Sequence, residues 1–189
     1  AEWMMNGEIY EDVFSLDISR FEKFHSELNF ITERVTETLG NLYAMHWPFK
    51  QHTTSRNIRL LPYHDHLKAK GACFGQSAAY ERPMWYSFNG KEAEYEYSYG
   101  YQNWYESAKY ETINARKNVA LFELSPFAKF ELNGDKAHSS LQHICANNIK
   151  NEVGSITYTQ MLNSKGGIEA DLTVTCINKN RFRIVTGSS

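Results

Sequence analysis

The chain has 189 residues, is 42% apolar, and carries 20 basic against 22 acidic residues for a net charge of −2. The apolar share suits a globular chain and is too high for disorder, and the length allows one domain or one and a half. The balanced charge offers no Lys and Arg cluster for a nucleic acid, and no apolar run approaches the ~20 residues that span a bilayer, so neither a nucleic-acid nor a membrane partner is expected.

In the N-terminal third, Phe21, Phe24, Leu28, Ile31, Val35 and Leu39 recur at three- and four-residue steps, the mark of one helix face. Asp17 or Ser19 can cap its start, with Ser19 and Glu22 at capping-box spacing, and Gly40 ends it in the C′ position. Its apolar face is expected to bury against another domain or against the segment that follows. From Tyr43 to about Gly71 the pattern weakens, and Pro48 and Pro62 break helix. An irregular connector with one short helical piece is predicted there. Arg56 and Arg59 face opposite sides of an extended chain and make no obvious anion clamp. Glu81 to Tyr86 reads as an extended arm, because Arg82 precedes Pro83. Tyrosines interleaved with glutamates crowd the stretch from Tyr80 to Tyr110. They suit a loop packed across an interdomain surface, a wall of a ligand channel, or both.

From Trp104 onward the elements sharpen. Glu106 to Asn118 reads as a helix with Ala108, Ile113 and Ala115 partly inward, and Val119 to Glu123 as a short strand. Ser125-Pro126 turns the chain into an alternating strand over Phe127 to Leu132. Asp135 is placed to cap a helix whose inner face is Ala137, Leu141, Ile144 and Cys145. Gly154 opens a strand over Ser155 to Asn163, and a turn at Asn178-Lys179-Asn180 joins Gly167–Ile177 to Arg181–Thr186 as a hairpin. The fold class is therefore α+β: a helical and irregular connector, then an incomplete, mostly antiparallel sheet flanked by helices.

The chain lacks an initiator Met, opens on Trp3-Met4-Met5, and stops just after the strand-like Phe182, Ile184 and Val185. It is expected to be a piece of a larger polypeptide, with an unpaired sheet edge after that strand. Cys73, Cys145 and Cys176 form no CxxC and suit buried thiols in a reducing compartment. His64 and His66 could reach a metal together from a strand, but no third ligand stands near, and no metal is expected. The glycines make no nucleotide-binding fingerprint, and no His is tied to Ser125 by spacing.

The strongest motif runs from Tyr158 to Thr175: strand, Gly166-Gly167 turn, strand. Asp171 lies inside the second arm among Ile168, Leu172 and Val174, where a carboxylate is unfavourable unless something pairs with it. That marks a candidate site. The plain alternative is an Asp that faces solvent. Glu169 and Asp171 share a strand face, and their repulsion would raise one pKa if both entered one pocket.

"YTQMLNSKGGIEADLTVT" and the preceding "LFELSPFAKFELNGDKA" resemble the folate-binding domain of the aminomethyltransferase superfamily, which includes the glycine cleavage T-protein. "AEWMMNGEIYEDVFSLDISRF", "SRNIRLLPYHDHL" and "GACFGQSAAYERPMWY" resemble the central connector of dimethylglycine and sarcosine dehydrogenases. The resemblance covers essentially the whole chain in order. It implies residues 1–70 as the tail of an oxidoreductase half with its connector, and 71–189 as the first part of a folate-binding domain. It further implies a small-molecule N-methyl amine substrate, tetrahydrofolate as cofactor, and a flavin half before Ala1 that is this segment's partner and holds FAD in its place. Asp171 matches the residue that contacts folate and carries catalysis in that family. Asn163 and Tyr158 on the partner arm, and Glu169 beside it, could also hydrogen-bond the pteridine-like ring, though Tyr158 equally suits a core. Many T-protein relatives carry two adjacent acidic residues here, whereas this chain reads Glu169-Ala170-Asp171. A non-enzymatic regulator of the same architecture, the pyruvate dehydrogenase phosphatase regulatory type, and a stand-alone aminomethyltransferase are the rival readings. The implied compartment is the cytoplasm in a bacterium or the mitochondrial matrix in a eukaryote, not secretion.

Overall fold

The computed structural model describes residues 2–7, 16–88 and 90–187. Its helices are α1 (Glu2–Asn6), α2 (Leu28–Gly40), α3 (His64–Ala69), α4 (Tyr105–Lys117) and α5 (Ala137–Ile144). Strands β1 (Ala72–Ser77) and β2 (Tyr80–Tyr86) form an antiparallel hairpin. Strands β3 (Ala128–Asn133), β4 (Ile156–Leu162), β5 (Ile168–Asn178) and β6 (Arg181–Thr186) make an antiparallel sheet in the order β3-β6-β5-β4. The predicted α+β class holds, and among the described residues no helix is long and apolar enough to cross a membrane.

The single helix expected from Ser19 to Leu39 is broken. Ile18–Arg20 and Lys23–Ser26 are isolated 3-10 turns, and Glu27 is extended before α2 begins. Local side-chain bonds compete with the helix here: the Glu22 N–H donates to the His25 ring at 2.9 Å, and the Ser26 hydroxyl to the Lys23 carbonyl at 2.7 Å. The Ser19 side chain, expected as a cap, lies outside the described residues. Gly40 stays in the last turn of α2, and the cap is Asn41 in right-handed conformation, so no left-handed C′ glycine is used.

Helix α2 binds the connector through its polar side. Glu37 accepts from the backbone N–H groups of Thr53 and Thr54 at 2.8 and 2.9 Å and from both threonine hydroxyls. Glu33 accepts from the Ser55 hydroxyl at 2.9 Å, and Arg34 donates to the Thr54 carbonyl and to Gln76 Oε1, both at 2.8 Å. The apolar stripe of α2 is turned outward: Leu28 is 76% exposed and Leu39 64%.

On β2, against the connector, lies Glu81, 1% exposed. Its carboxylate accepts from Arg56 Nε at 2.9 Å, from the Asn57 N–H at 2.8 Å and from Gln76 Nε2 at 3.1 Å, and pairs with Arg56 Nη2 at 2.5 Å. Burial alone would raise its pKa, but the Arg56 bond, the Asn57 N–H, the Arg56 charge and Gln76 together hold it below the usual carboxylate value. The β1–β2 hairpin turns through Ala78 and Ala79, both at positive φ (49° and 59°). A two-residue turn of this hand is usually Asn-Gly, because a Cβ is unfavourable there. Arg59 clamps the strained turn: its N–H donates to the Ala79 carbonyl at 3.2 Å, and its carbonyl accepts from the Glu81 N–H at 2.9 Å.

The C-terminal sheet buries one face. Leu172, Val174, Cys176, Phe182 and Ile184 point to one side by strand alternation and pack with Ala137 and Leu141 of α5 and with Ile149. Strand β6 lies between β3 and β5, so the sheet edges are β3 and β4, and the unpaired edge expected after Val185 is absent. Val119 to Glu123 is no strand: it has no neighbouring strand, and Val119 and Leu121 are almost fully exposed. On α4 the buried side chain is Ser107, with Ala108 half-buried, while Ile113 and Ala115 are exposed. Asp135 does not cap α5; Lys136 holds that position, and Asp135 accepts from Asn180 Nδ2 at 2.8 Å. Ile144 is also more exposed than its predicted inner-face place, at 37%.

Three outcomes are expected from this architecture. Glu81→Gln should lose about 2–4 kcal/mol in denaturant unfolding, because it leaves the half-buried Arg56 guanidinium without its buried counter-charge, and adding Arg56→Met should restore part of it; a loss under ~1 kcal/mol would show that the pair does not hold this region together. Glu37 is pulled down to about 2: burial opposes this, but the Thr54 hydroxyl, the Thr53 and Thr54 N–H groups and the His52 charge outweigh it. The stabilisation from Glu37 is thus complete above the ordinary value of 4.5 and lost as pH falls toward about 2. Melting curves across that window should flatten in Glu37→Gln. Ala79→Gly should raise thermal stability by ~1 kcal/mol by relieving the left-handed Cβ; no gain would mean that the turn relaxes without cost.

Candidate functional site

The β4–β5 turn is organised by Asn163. Gly166 takes φ +80°, which only glycine adopts freely, and its N–H donates to the Asn163 carbonyl at 3.0 Å. The Asn163 side-chain oxygen accepts from the N–H groups of Lys165 at 3.0 Å and Gly167 at 2.8 Å. A Cβ at Gly167 would come 2.8 Å from Asn163 Nδ2, so a side chain here would push the Asn163 carboxamide from the position it holds in the turn. The Asn163 amide nitrogen donates to Glu169 Oε1 at 2.7 Å.

Strand alternation puts Asp171 on the face opposite Leu172 and Val174, so the carboxylate is exposed and not buried. The plain solvent-facing placement is the one observed, but the group is paired. The Tyr158 hydroxyl donates to Asp171 Oδ2 at 2.6 Å. The two are diagonal neighbours across the ladder, since Gln160 stands opposite Asp171 and Tyr158 opposite Thr173. Tyr158 is 57% exposed and is no core residue. Its bond to Asp171, with a little burial and the carboxylate's charge, raises the phenol pKa, against a smaller opposing effect of Gln160. A bulge interrupts the β4–β5 register at Glu169, so the two-residue alternation expected to align it with Asp171 does not run through this point; each carboxylate has its own donor, and they do not crowd one enclosed pocket.

The sheet register adds residues that the sequence reading missed. Thr173 stands opposite Val185 and Thr175 opposite Arg183, and on β3 these meet Lys129 and Glu131. Glu131 accepts from Arg181 Nε at 3.0 Å and from Arg183 Nη2 at 3.1 Å, which lowers its pKa. The open face thus runs from the Tyr158–Asp171 pair to an Arg–Glu–Arg group, roughly four residues or ~13 Å along β5. The i, i+2 repeats Lys129/Glu131 and Arg181/Arg183 were the available signal. Such a face can accept N–H groups at one end, stack a flat ring beside Tyr158, and meet an anion at the other.

Other expected groups lie elsewhere. His64 and His66 sit in a helix, where a two-residue step points them apart; His64 is buried against Phe74 and His66 is exposed. Among the described residues no group of three or more His, Cys, Asp or Glu could hold a metal. Cys73 and Cys176 are buried and free, and burial pushes the Cys73 thiol up to about 11. The tyrosine-rich stretch packs against the connector and borders open cavities. The Tyr97 hydroxyl accepts the Gln51 N–H, Tyr99 lies against Trp47 at a 33° tilt, and Tyr95 lines cavities of about 940 and 700 Å³ beside β2.

Residues 63–189 match the family model described as the GCVT N-terminal domain, and residues 6–60 that described as the FAD dependent oxidoreductase central domain. The chain is similar, at 42% identity over its whole length, to the 4-methylaminobutanoate oxidase (formaldehyde-forming) of Paenarthrobacter nicotinovorans, of which it spans 23%. It is 31% identical, over 98% of its length, to the mitochondrial pyruvate dehydrogenase phosphatase regulatory subunit of Mus musculus. It is 29% identical, over its full length, to the mitochondrial dimethylglycine dehydrogenase of Homo sapiens; it spans 22% of each of these two proteins. Among solved structures, the glycine cleavage system aminomethyltransferase T of Bartonella henselae shares its fold, with TM-score 0.56 and 22% identity over 70% of this chain and 32% of that one. The chain belongs to the GCVT N-terminal domain family, with the central domain of an FAD dependent oxidoreductase ahead of it.

Proposed function

We propose that this chain is the connector and folate side of a folate-linked N-methyl amine dehydrogenase, divided near residue 70, in which Asp171 orients reduced folate. The observation that carries the reading is the Asp171 carboxylate held by the Tyr158 hydroxyl at 2.6 Å on an open sheet face, in a chain that joins an oxidoreductase central domain to a GCVT domain. Tetrahydrofolate, when bound, supplies a nucleophilic nitrogen that takes up a one-carbon unit. The residues present fit such a ligand. Tyr158 occupies Oδ2 of Asp171 and leaves Oδ1 to accept an N–H from an amine-bearing ring. A carboxylate fixed in that way is a preorganised partner for positive charge at a neighbouring carbon, and it needs no reorientation during reaction. Asn163 supports the site by shaping the turn through its side-chain oxygen, and Glu169, bonded to its amide, is a second acceptor nearby. FAD would be held outside this segment, and the oxidised substrate would be a small methylated amine of the kind named for the relatives.

Two relatives favour other outcomes. The bacterial one is named as formaldehyde-forming, and the mouse one as a regulatory subunit. The retained Gly166-Gly167 turn and the Tyr158–Asp171 pair support capture over release or loss of activity. In the complete gene product, Asp171→Asn should leave flavin reduction by an N-methyl amine near the wild-type rate. Formation of methylene-tetrahydrofolate should fall ~10–1,000-fold, the range for losing one electrostatic contact in a site. Free formaldehyde, read with a trapping reagent, should rise to match. Unchanged folate product would reduce Asp171 to a structural residue, and a collapse of flavin reduction would show that the two chemistries are not separable.

A further inference from the structure

Helix α2 is amphipathic in the reverse of the usual sense. A helix beside a connector normally turns its apolar stripe inward. Here Glu33, Arg34 and Glu37 make the contacts with residues 53–55 and Gln76. Leu28, Ile31, Val35 and Leu39 lie on the other side, 40% to 76% exposed, and Leu42 continues the line at 57%. The stripe is about 17 Å long from Leu28 to Leu39. Three polar side chains set the rotation of α2 about its axis, so the helix cannot roll to bury the stripe without stranding Arg34 and the Glu37 carboxylate. The chain is built to present this stripe outward.

We infer that the stripe of α2 seats a flavin-carrying oxidoreductase domain tethered in the same polypeptide. This rests on the functional reading proposed above. Two observations select that occupant. Residues 6–60, which contain α2, match the central domain of an FAD dependent oxidoreductase, and the chain spans only 22% to 23% of relatives that continue well beyond it. The size of the stripe agrees. Five partly exposed aliphatic side chains fall short of the ~800 Å² per partner that a stable complex between free molecules buries. A tethered domain needs less, because linkage raises its effective concentration to the millimolar range. A second copy of the chain, joined only through α2, has no such help.

The test uses the complete gene product with single cysteines at Val35→Cys and Leu39→Cys on the stripe, and at Asn29→Cys on the exposed flank as control. Maleimide labelling is followed by peptide mass spectrometry, which separates these sites from Cys73, Cys145 and Cys176. With flavin absorbance present, the stripe positions should label at least ~10-fold more slowly than Cys at 29, as expected of a surface exposed only by local opening. Equal rates in a flavin-bearing protein would overturn the docking and leave the functional reading standing. Protection that disappears on dilution, together with a dimer-to-monomer shift in light scattering, would assign the stripe to a second copy and overturn the proposal. A purified gene product without flavin would overturn the occupant and the functional reading together.

Discussion

Glu81 is 1% exposed and touches Arg56, Asn57 and Gln76, which come from the irregular loop and from β1. A buried carboxylate left unpaired would cost several kcal/mol, so the loop between Lys50 and Asn57 must fold over β2 to supply its donors. Gln76 passes the constraint outward, since its other side-chain atom accepts from Arg34 of α2. The position of α2, the path of the loop and the register of the β1–β2 hairpin therefore share one charged centre. An apolar core of ordinary size is missing from this region. Leu61, Ala72, Cys73 and Trp85 are its only buried apolar side chains among the described residues, and polar geometry sets its shape.

The C-terminal sheet follows the opposite logic. Its stability comes from one apolar face under α5, which leaves the other face free to carry polar chemistry. Free does not mean unstructured. Tyr158 and Asp171 fix each other across β4 and β5, Asn163 fixes the turn that brings those strands together, and Glu131 gathers two arginines across β3 and β6. Each group is held by a partner on a neighbouring strand. The geometry of the face is thus as stiff as the ladder beneath it, which is what a preorganised site requires.

Two runs of exposed aliphatic side chains stand out among the described residues, one on the outer side of α2 and one from Val119 to Leu124. Bare aliphatic surface of this kind suits a chain that spans 22% to 23% of its relatives.

The sequence by itself determined whatever depends on local periodicity and local turn chemistry. The β4–β5 and β5–β6 hairpins and helices α4 and α5 follow from spacing that any neighbour would respect. The resemblance to folate-linked dehydrogenases was legible because the Gly166-Gly167 turn and its flanks keep their order. What failed was local evidence that a tertiary partner outweighs. The β1–β2 hairpin was invisible because its turn is Ala78-Ala79, a poor turn former held at positive φ by Arg59. Val119 to Glu123 had strand composition but no strand to pair with. The apolar repeat from Phe21 to Leu39 read as one buried helix face, yet side-chain bonds at Glu22 to Ser26 broke its start, and the pull of Thr53, Thr54 and Gln76 on its charged side turned the stripe outward. Whether Asp171 was buried or exposed, and that Tyr158 was its partner, rested on which face of the sheet α5 covers. Burial and cross-strand pairing are set by contacts between residues far apart in the chain, and only the folded structure brings those residues together.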